Sequence, residues 1–282
     1  MEKQGSFTSK LLMPRIIILG LDGLEYDFVE RWNLKNLKQR EFGKLEVPIN
    51  KDLGVPMSPE VWAAFLTGKY LPGLEFTRTP IVDFILEALR FMRKRIPVSL
   101  GLGRRIRIKV PLRFPELKER TFLDLTNSKE INVPYYSYDH KIFKIMNQFN
   151  AGKLSLREAV NEVLNVYIYR KRRILYEFEN LGDFDVIFAF MHFPDALQHL
   201  LLNKPLAIRE LYFDLDSYVS RLKRRVDASM FLIVSDHGFD LETKEHSMHG
   251  FYSSNVPLDP RPRRITDFYN LIVKEIECKK GV

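Results

Sequence analysis

The chain has 282 residues, 45% hydrophobic and 28% charged, the balance of a globular protein long enough to bury a substantial core. Its one cysteine, Cys278, excludes an internal disulfide framework and a cysteine zinc ribbon, so any metal must sit among His, Asp, Glu and hydroxyl ligands. The net charge of +8 is uneven: residues 90–120 hold eleven Lys/Arg and two Glu, net +9, which leaves −1 for the rest.

Residues 1–14 read as a polar tail without the apolar run of a signal peptide, and no stretch of about 18 apolar residues suggests a membrane span. A cytoplasmic location is the expectation. RIIILGLDG, 15–23, predicts a buried parallel strand that delivers Asp22 at its carboxyl end. Helical spacing follows through EYDFVERWNLKNLKQR. SPEVWAAFLTG, 58–68, predicts a helix with Ser58 as N-cap, Pro59 in the first turn and Gly68 as the stop.

IVDFILEALRFMRKR, 81–95, predicts an amphipathic helix entering the basic segment. Such a segment attracts phosphates, nucleic acid or an anionic membrane surface, or else forms a solvated face. Its interleaved Ile, Val, Leu and Phe argue against a disordered tail. Neutralising Arg104, Arg105 and Arg107 is expected to raise KM or weaken an anionic partner, with a smaller salt dependence. Unchanged kinetics and no salt-sensitive partner would leave a solvated face.

A short strand near 131–133, a long helix over 154–181, a buried strand over 184–191, a helix from 207 and a third buried strand over 230–238 complete the reading. Strands alternating with helices predict an α/β fold: a three-layer αβα arrangement with a mostly parallel central sheet. Ligands of such sheets bind beyond the carboxyl ends of the strands. One domain is expected over 15–282, with a basic insertion or small cap at about 74–153.

FAFMHFPDALQHLL, 188–201, alone reads first as a capped helix with surface histidines and second as a metal site. Convergence of three strand ends favours the metal. They bring Asp22, the Met191–Asp195 turn and Asp236-His237 together, and Asp195 and His199 share one helix face. His246 and His249 follow in EHSMHGFYSSN. Mixed carboxylates and imidazoles suit Zn²⁺ or Mn²⁺, in numbers sufficient for two ions.

The ordered set IILGLDG, SPEVWAAFLTGKYLPG, DVIFAFMHFPDALQH, IVSDHGF and MHGFYSSN resembles the alkaline phosphatase superfamily, type I phosphodiesterases/nucleotide pyrophosphatases in particular. The resemblance covers about 15–73 and 184–255. It implies an alkaline phosphatase-like core with two divalent ions, Zn²⁺ first and Mn²⁺ second. Ser58 matches the nucleophile and ligates one ion with Asp22, Asp236 and His237; Asp195, His199 and His249 match the ligands of the other. His192 is expected to support the ligands from behind, and His246, which matches no family ligand, to lie at the surface or in support. Loss of an ion is therefore expected from His249→Ala and not from His246→Ala.

The implied activity is hydrolysis of phosphodiester or pyrophosphate bonds through a phosphoserine, on a small phosphorylated substrate such as a nucleotide. The alternatives are a phosphomonoesterase, a phosphoglycerate-mutase-like phosphotransferase, or an anionic-surface binding protein with an inactive core. Where the family carries an HG-containing stretch and a phosphoryl-stabilising asparagine, this chain reads LPGLEFTRTP. Arg78, Arg104 and Arg105 are the substrate-binding candidates that charge suggests. SPEV lacks the Ser/Cys-x-Pro-x-Arg signature of sulfatases.

Overall fold

The computed structural model describes residues 16–76, 114–180, 182–226 and 228–278. The expected tail, the 81–95 helix, Arg78, Arg104, Arg105, Arg107 and the basic segment as far as Arg113 lie outside the described residues. Eight strands occur among those described: β1 (Ile16–Leu21), β2 (Glu41–Glu46), β3 (Ser128–Ile131), β4 (Val186–Met191), β5 (Met230–Ser235), β6 (Gly238–Asp240), β7 (Glu245–Ser247) and β8 (His249–Ser254).

β1, β4 and β5 are buried at every position, as strands covered on both faces must be. They form the middle of a six-stranded sheet in the order β2-β8-β5-β1-β4-β3. β3, β4, β1 and β5 run parallel; β8 is antiparallel to β5, and β2 to β8. β6 and β7 pair separately as a two-stranded ribbon. The sheet is thus mostly parallel, as expected.

Eight helices accompany it among the described residues: α1 (Tyr26–Arg31), α2 (Lys35–Lys38), α3 (Ser58–Thr67), α4 (Lys141–Asn150), α5 (Leu156–Glu179), α6 (Asp195–Leu200), α7 (Pro205–Lys223) and α8 (Asp267–Cys278). Side chains alternate across a strand, so each strand feeds two cores. Ile17, Leu19, Ile187, Ala189 and Ile233 face the core built by α1, α2, α4, α5, α6 and α7. Ile18, Phe188, Phe190, Leu232 and Val234 face α3 and α8. Helices on both faces of one sheet make three layers, as expected.

Three local differences have physical reasons. The helical spacing over 25–40 divides into α1 and α2, because Asn33 takes φ 47° between them, a conformation that cannot continue a helix. Met57, which makes no side-chain capping bond, is the N-cap of α3, so Ser58 opens the helix itself, while Gly68 ends it with φ 70°. β2 and β8 are strands the periodicity does not announce: EFGKLE mixes half-exposed polar and apolar positions at the sheet edge, and HGFYSS, though mostly buried between β2 and β5, has only two large apolar residues. Residues 114–150 supply edge strand β3 and helix α4. No described helix is long and apolar enough to cross a membrane.

Candidate metal centre

The carboxyl ends of β1, β4 and β5 are tied by their own backbone. Asp22 N–H donates to the Met191 carbonyl at 3.0 Å, and Asp195 N–H donates to the Asp22 carbonyl at 3.0 Å. Ser235 Oγ accepts from Leu24 N–H and donates to the His237 carbonyl, both at 2.8 Å. Gly23 permits the close approach: its φ is 74°, and a Cβ there would lie 2.6 Å from Asp195 Cβ. The turn after β1 is thereby pressed onto the start of α6.

Asp22, Asp236 and His237 are completely buried, and Asp195, His192 and Ser58 nearly so. His237 Nε2 lies 3.2 Å from Asp22 Oδ1 and 3.6 Å from Asp236 Oδ2. Its Nδ1 faces the Gly238 carbonyl at 2.9 Å, which places a proton on Nδ1 and turns Nε2 toward the carboxylates. The Ser58 hydroxyl, carried on the first turn of α3, lies close enough to Asp236 to favour its charged form, though neither Asp236 oxygen has a regular hydrogen-bond partner.

On the other side, His199 Nε2 is 3.2 Å from Asp195 Oδ1, the i,i+4 pairing expected on α6. His192 stands between the halves, with Nδ1 2.7 Å from Asp22 Oδ2 and Nε2 3.7 Å from Asp195 Oδ2. Two residues do not sit where the resemblance would put them. His249 Nε2 lies 3.2 Å from Glu25 Oε1, whereas His246 Nε2 lies 3.2 Å from His199 Nε2. The His246 ring also stacks on His237, centroids 3.7 Å apart.

The electrostatics are those of crowded carboxylates. Burial would raise Asp22, but His192 and His237 beside it hold its carboxyl well below the usual range. Asp195 is likewise lowered against its burial, chiefly by His199. Burial and the Asp22 charge push Asp236 up to about 7. His237, despite burial, is raised to about 10 by Asp236 and Asp22. His246 is lowered, by burial and by the His237 charge.

The donor set fits divalent cations. Both oxygens of Asp22, both of Asp236, Asp195 Oδ1 and His237 Nε2 are buried without a hydrogen-bond partner. Buried polar atoms are normally paired, and the penalty for leaving six unpaired is large. Imidazoles lie within ion-pair reach of these oxygens yet off hydrogen-bonding geometry, the pattern of atoms aimed at common centres rather than at each other. Asp22-Asp236-His237, Asp195-His237-His246 and Asp22-His192-Asp195 each gather their ligand atoms within 4.8 Å. Carboxylates mixed with neutral imidazoles suit Zn²⁺ or Mn²⁺.

Sequence reasoning missed Glu25. It is buried, and its carboxylate accepts from Asp27 N–H, Phe239 N–H and the Ser247 hydroxyl besides facing His249, fastening the β6–β7 ribbon to α1. These contacts and burial leave it lowered to about 2, burial opposing and His249 leading the stabilising groups. Glu60, two residues beyond Ser58, accepts from Gly73 N–H at 2.7 Å and Asn50 Nδ2 at 3.2 Å and so anchors the loop after α3. A cleft of about 980 Å³ opens beside His249, lined among others by Lys44, Met248, Arg261, Arg263 and Lys274.

Fold and site together define a three-layer α/β protein with a carboxylate–imidazole cluster at the carboxyl ends of its parallel strands. No family model matches the chain, and no curated protein does. Among solved structures it is similar to mouse ectonucleotide pyrophosphatase/phosphodiesterase 5 in complex with AMP, at 12% identity and TM-score 0.41, over 80% of this chain and 57% of that one. It is similar to a 2-O GAG sulfatase at 9% identity and TM-score 0.46, over 90% of this chain and 68% of that one. A protein from Pyrococcus horikoshii is similar at 13% identity and TM-score 0.42, over 95% of this chain and 98% of that one. The chain spans little more than half the length of the phosphodiesterase.

Proposed function

We propose that the chain is a two-metal hydrolase of phosphodiester or pyrophosphate bonds, related to the alkaline phosphatase superfamily, with Ser58 as the nucleophile. The observation that carries this reading is the placement of Ser58. An almost buried hydroxyl opens α3 and faces Asp236, beside six buried ligand atoms that lack hydrogen-bond partners. Asp22, Asp236, His237 and Ser58 would hold one cation, and Asp195 and His199 the other. Bound there, the cations would lower the pKa of the Ser58 hydroxyl and neutralise phosphoryl oxygens.

The chain's own groups supply the rest. α3 aims its N-terminal dipole at the position a phosphoryl group would occupy in front of Ser58. Ser58 Oγ attacks phosphorus in line with the leaving group; its P–O bond forms as the bond to the leaving oxygen breaks. Water then cleaves the phosphoserine, and two in-line displacements give retention at phosphorus. The cleft beside His249 offers Lys44, Arg261 and Arg263 to the remainder of an anionic substrate, such as a nucleotide.

The test compares a nitrophenyl phosphodiester with a nitrophenyl phosphomonoester in the presence of zinc or manganese. A higher kcat/KM on the diester is expected. Faster turnover of the monoester would assign a phosphomonoesterase on the same core, and no turnover of either would favour a binding protein.

A further inference from the structure

We propose that His246, and not His249, completes the protein shell of the cation held by Asp195 and His199. This rests on the two-cation reading of the centre.

The three atoms make a nearly regular triangle. Asp195 Oδ1 to His199 Nε2 is 3.2 Å, His199 Nε2 to His246 Nε2 is 3.2 Å, and His246 Nε2 to Asp195 Oδ1 is 3.7 Å. Tetrahedral ligands bonded at about 2.0–2.2 Å stand roughly 3.3–3.6 Å from one another, so one ion above this triangle meets all three with little rearrangement.

The protonation pattern agrees. His246 Nδ1 faces the Pro56 carbonyl at 3.2 Å, and a carbonyl only accepts, so Nδ1 carries the proton and Nε2 presents a lone pair. A backbone carbonyl on the far nitrogen is the usual orienting partner of a metal-bound histidine. His237, held by the Gly238 carbonyl, repeats the arrangement beneath it, and the two rings stack at an interplanar angle of 13°.

His249 is engaged elsewhere. Its Nε2 pairs with Glu25 Oε1 at 3.2 Å, on a carboxylate already fixed by Asp27, Phe239 and Ser247. At the start of β8 it borders the basic cleft, where it can meet substrate.

Zinc stoichiometry and affinity decide the matter, by equilibrium dialysis with elemental analysis and by calorimetry, using Zn²⁺ alone on the full chain. Two ions are expected in the wild type and in His249→Ala, and one tight ion in His246→Ala, with the other weakened at least 100-fold. His246→Gln, whose amide can still donate to the Pro56 carbonyl, keeps the fold if alanine disturbs it and should show the same loss. Two tight ions in both His246 variants, or loss of an ion in His249→Ala, would overturn the assignment while leaving the two-cation reading intact. A wild type that binds fewer than two ions would instead remove that reading, and this inference with it.

Discussion

Ser58→Ala is expected to fold as the wild type does and to hydrolyse a nitrophenyl phosphodiester several orders of magnitude more slowly. The substitution removes one oxygen from the first residue of α3, where Met57 and not Ser58 is the N-cap. Its cost to folding should therefore stay below the ~1 kcal/mol typical of a lost cap. Pro59 and the buried Val61, Trp62 and Phe65 still hold the helix against the sheet. The loss falls on the chemistry, because no other hydroxyl is carried to Asp236 by that helix. Ser58→Thr keeps the hydroxyl and should retain activity. Turnover and a melting curve for each variant check this. A folded Ser58→Ala protein with near-wild-type turnover would mean direct attack by water.

Asp236→Asn should separate stability from function in the opposite direction. Both Asp236 oxygens are buried without hydrogen-bond partners, and the carboxyl titrates near 7 because burial and Asp22 oppose its charge. A folded pKa above the unfolded value means that the native state keeps its proton longer as pH rises. The metal-free wild type therefore loses stability from about pH 4 to about pH 7 through this group, and the loss persists above it.

The amide has no charge to bury. Metal-free Asp236→Asn should melt a few degrees higher than the wild type above pH 7, the scale of ~1–2 kcal/mol, and no higher below pH 4. With zinc the order reverses, because an ion present at 100 times its Kd adds about 2.7 kcal/mol to the wild type, and the variant has lost a ligand of that ion. Melting curves with and without zinc, at acid and neutral pH, read both effects. A variant less stable than the wild type without metal, yet equally raised by zinc, would contradict the role given to Asp236.

What the sequence disclosed follows from burial. β1, β4 and β5 are apolar on both faces, so their runs stand out, and a polar residue ending such a run stands out more; Asp22 and Asp236 are of this kind. Asp195 and His199 share a face at a helix start that spacing alone defines. β2 was not legible, because an edge strand with half-exposed positions carries Glu41, Lys44 and Glu46 among few apolar residues, and β8, although mostly buried between β2 and β5, has only Phe251 and Tyr252 as large apolar residues in HGFYSS. The one-residue shift at Ser58 was hidden for another reason, since Ser-Pro reads identically whether the serine caps the helix or opens it.

His246 and His249 show the limit most clearly. They are three residues apart in a polar stretch, and no local pattern says which ring turns inward. That choice is made by Pro56, 190 residues from His246, and by Glu25, 224 residues from His249. Glu25 itself reads as an ordinary surface acid after Asp22-Gly23. Only the ribbon β6–β7 folding over it shows why it is buried.

The central claim is that bound cations and Ser58 together form a phosphoester-cleaving centre. It is tested most directly by stripping the protein with a chelator and titrating zinc or manganese back while following both bound metal and cleavage of the nitrophenyl phosphodiester. The account predicts no cleavage by the stripped protein and activity that rises with bound metal to a plateau at two ions per chain. Full loading without cleavage of the diester or the monoester, or cleavage undiminished after stripping, would contradict it.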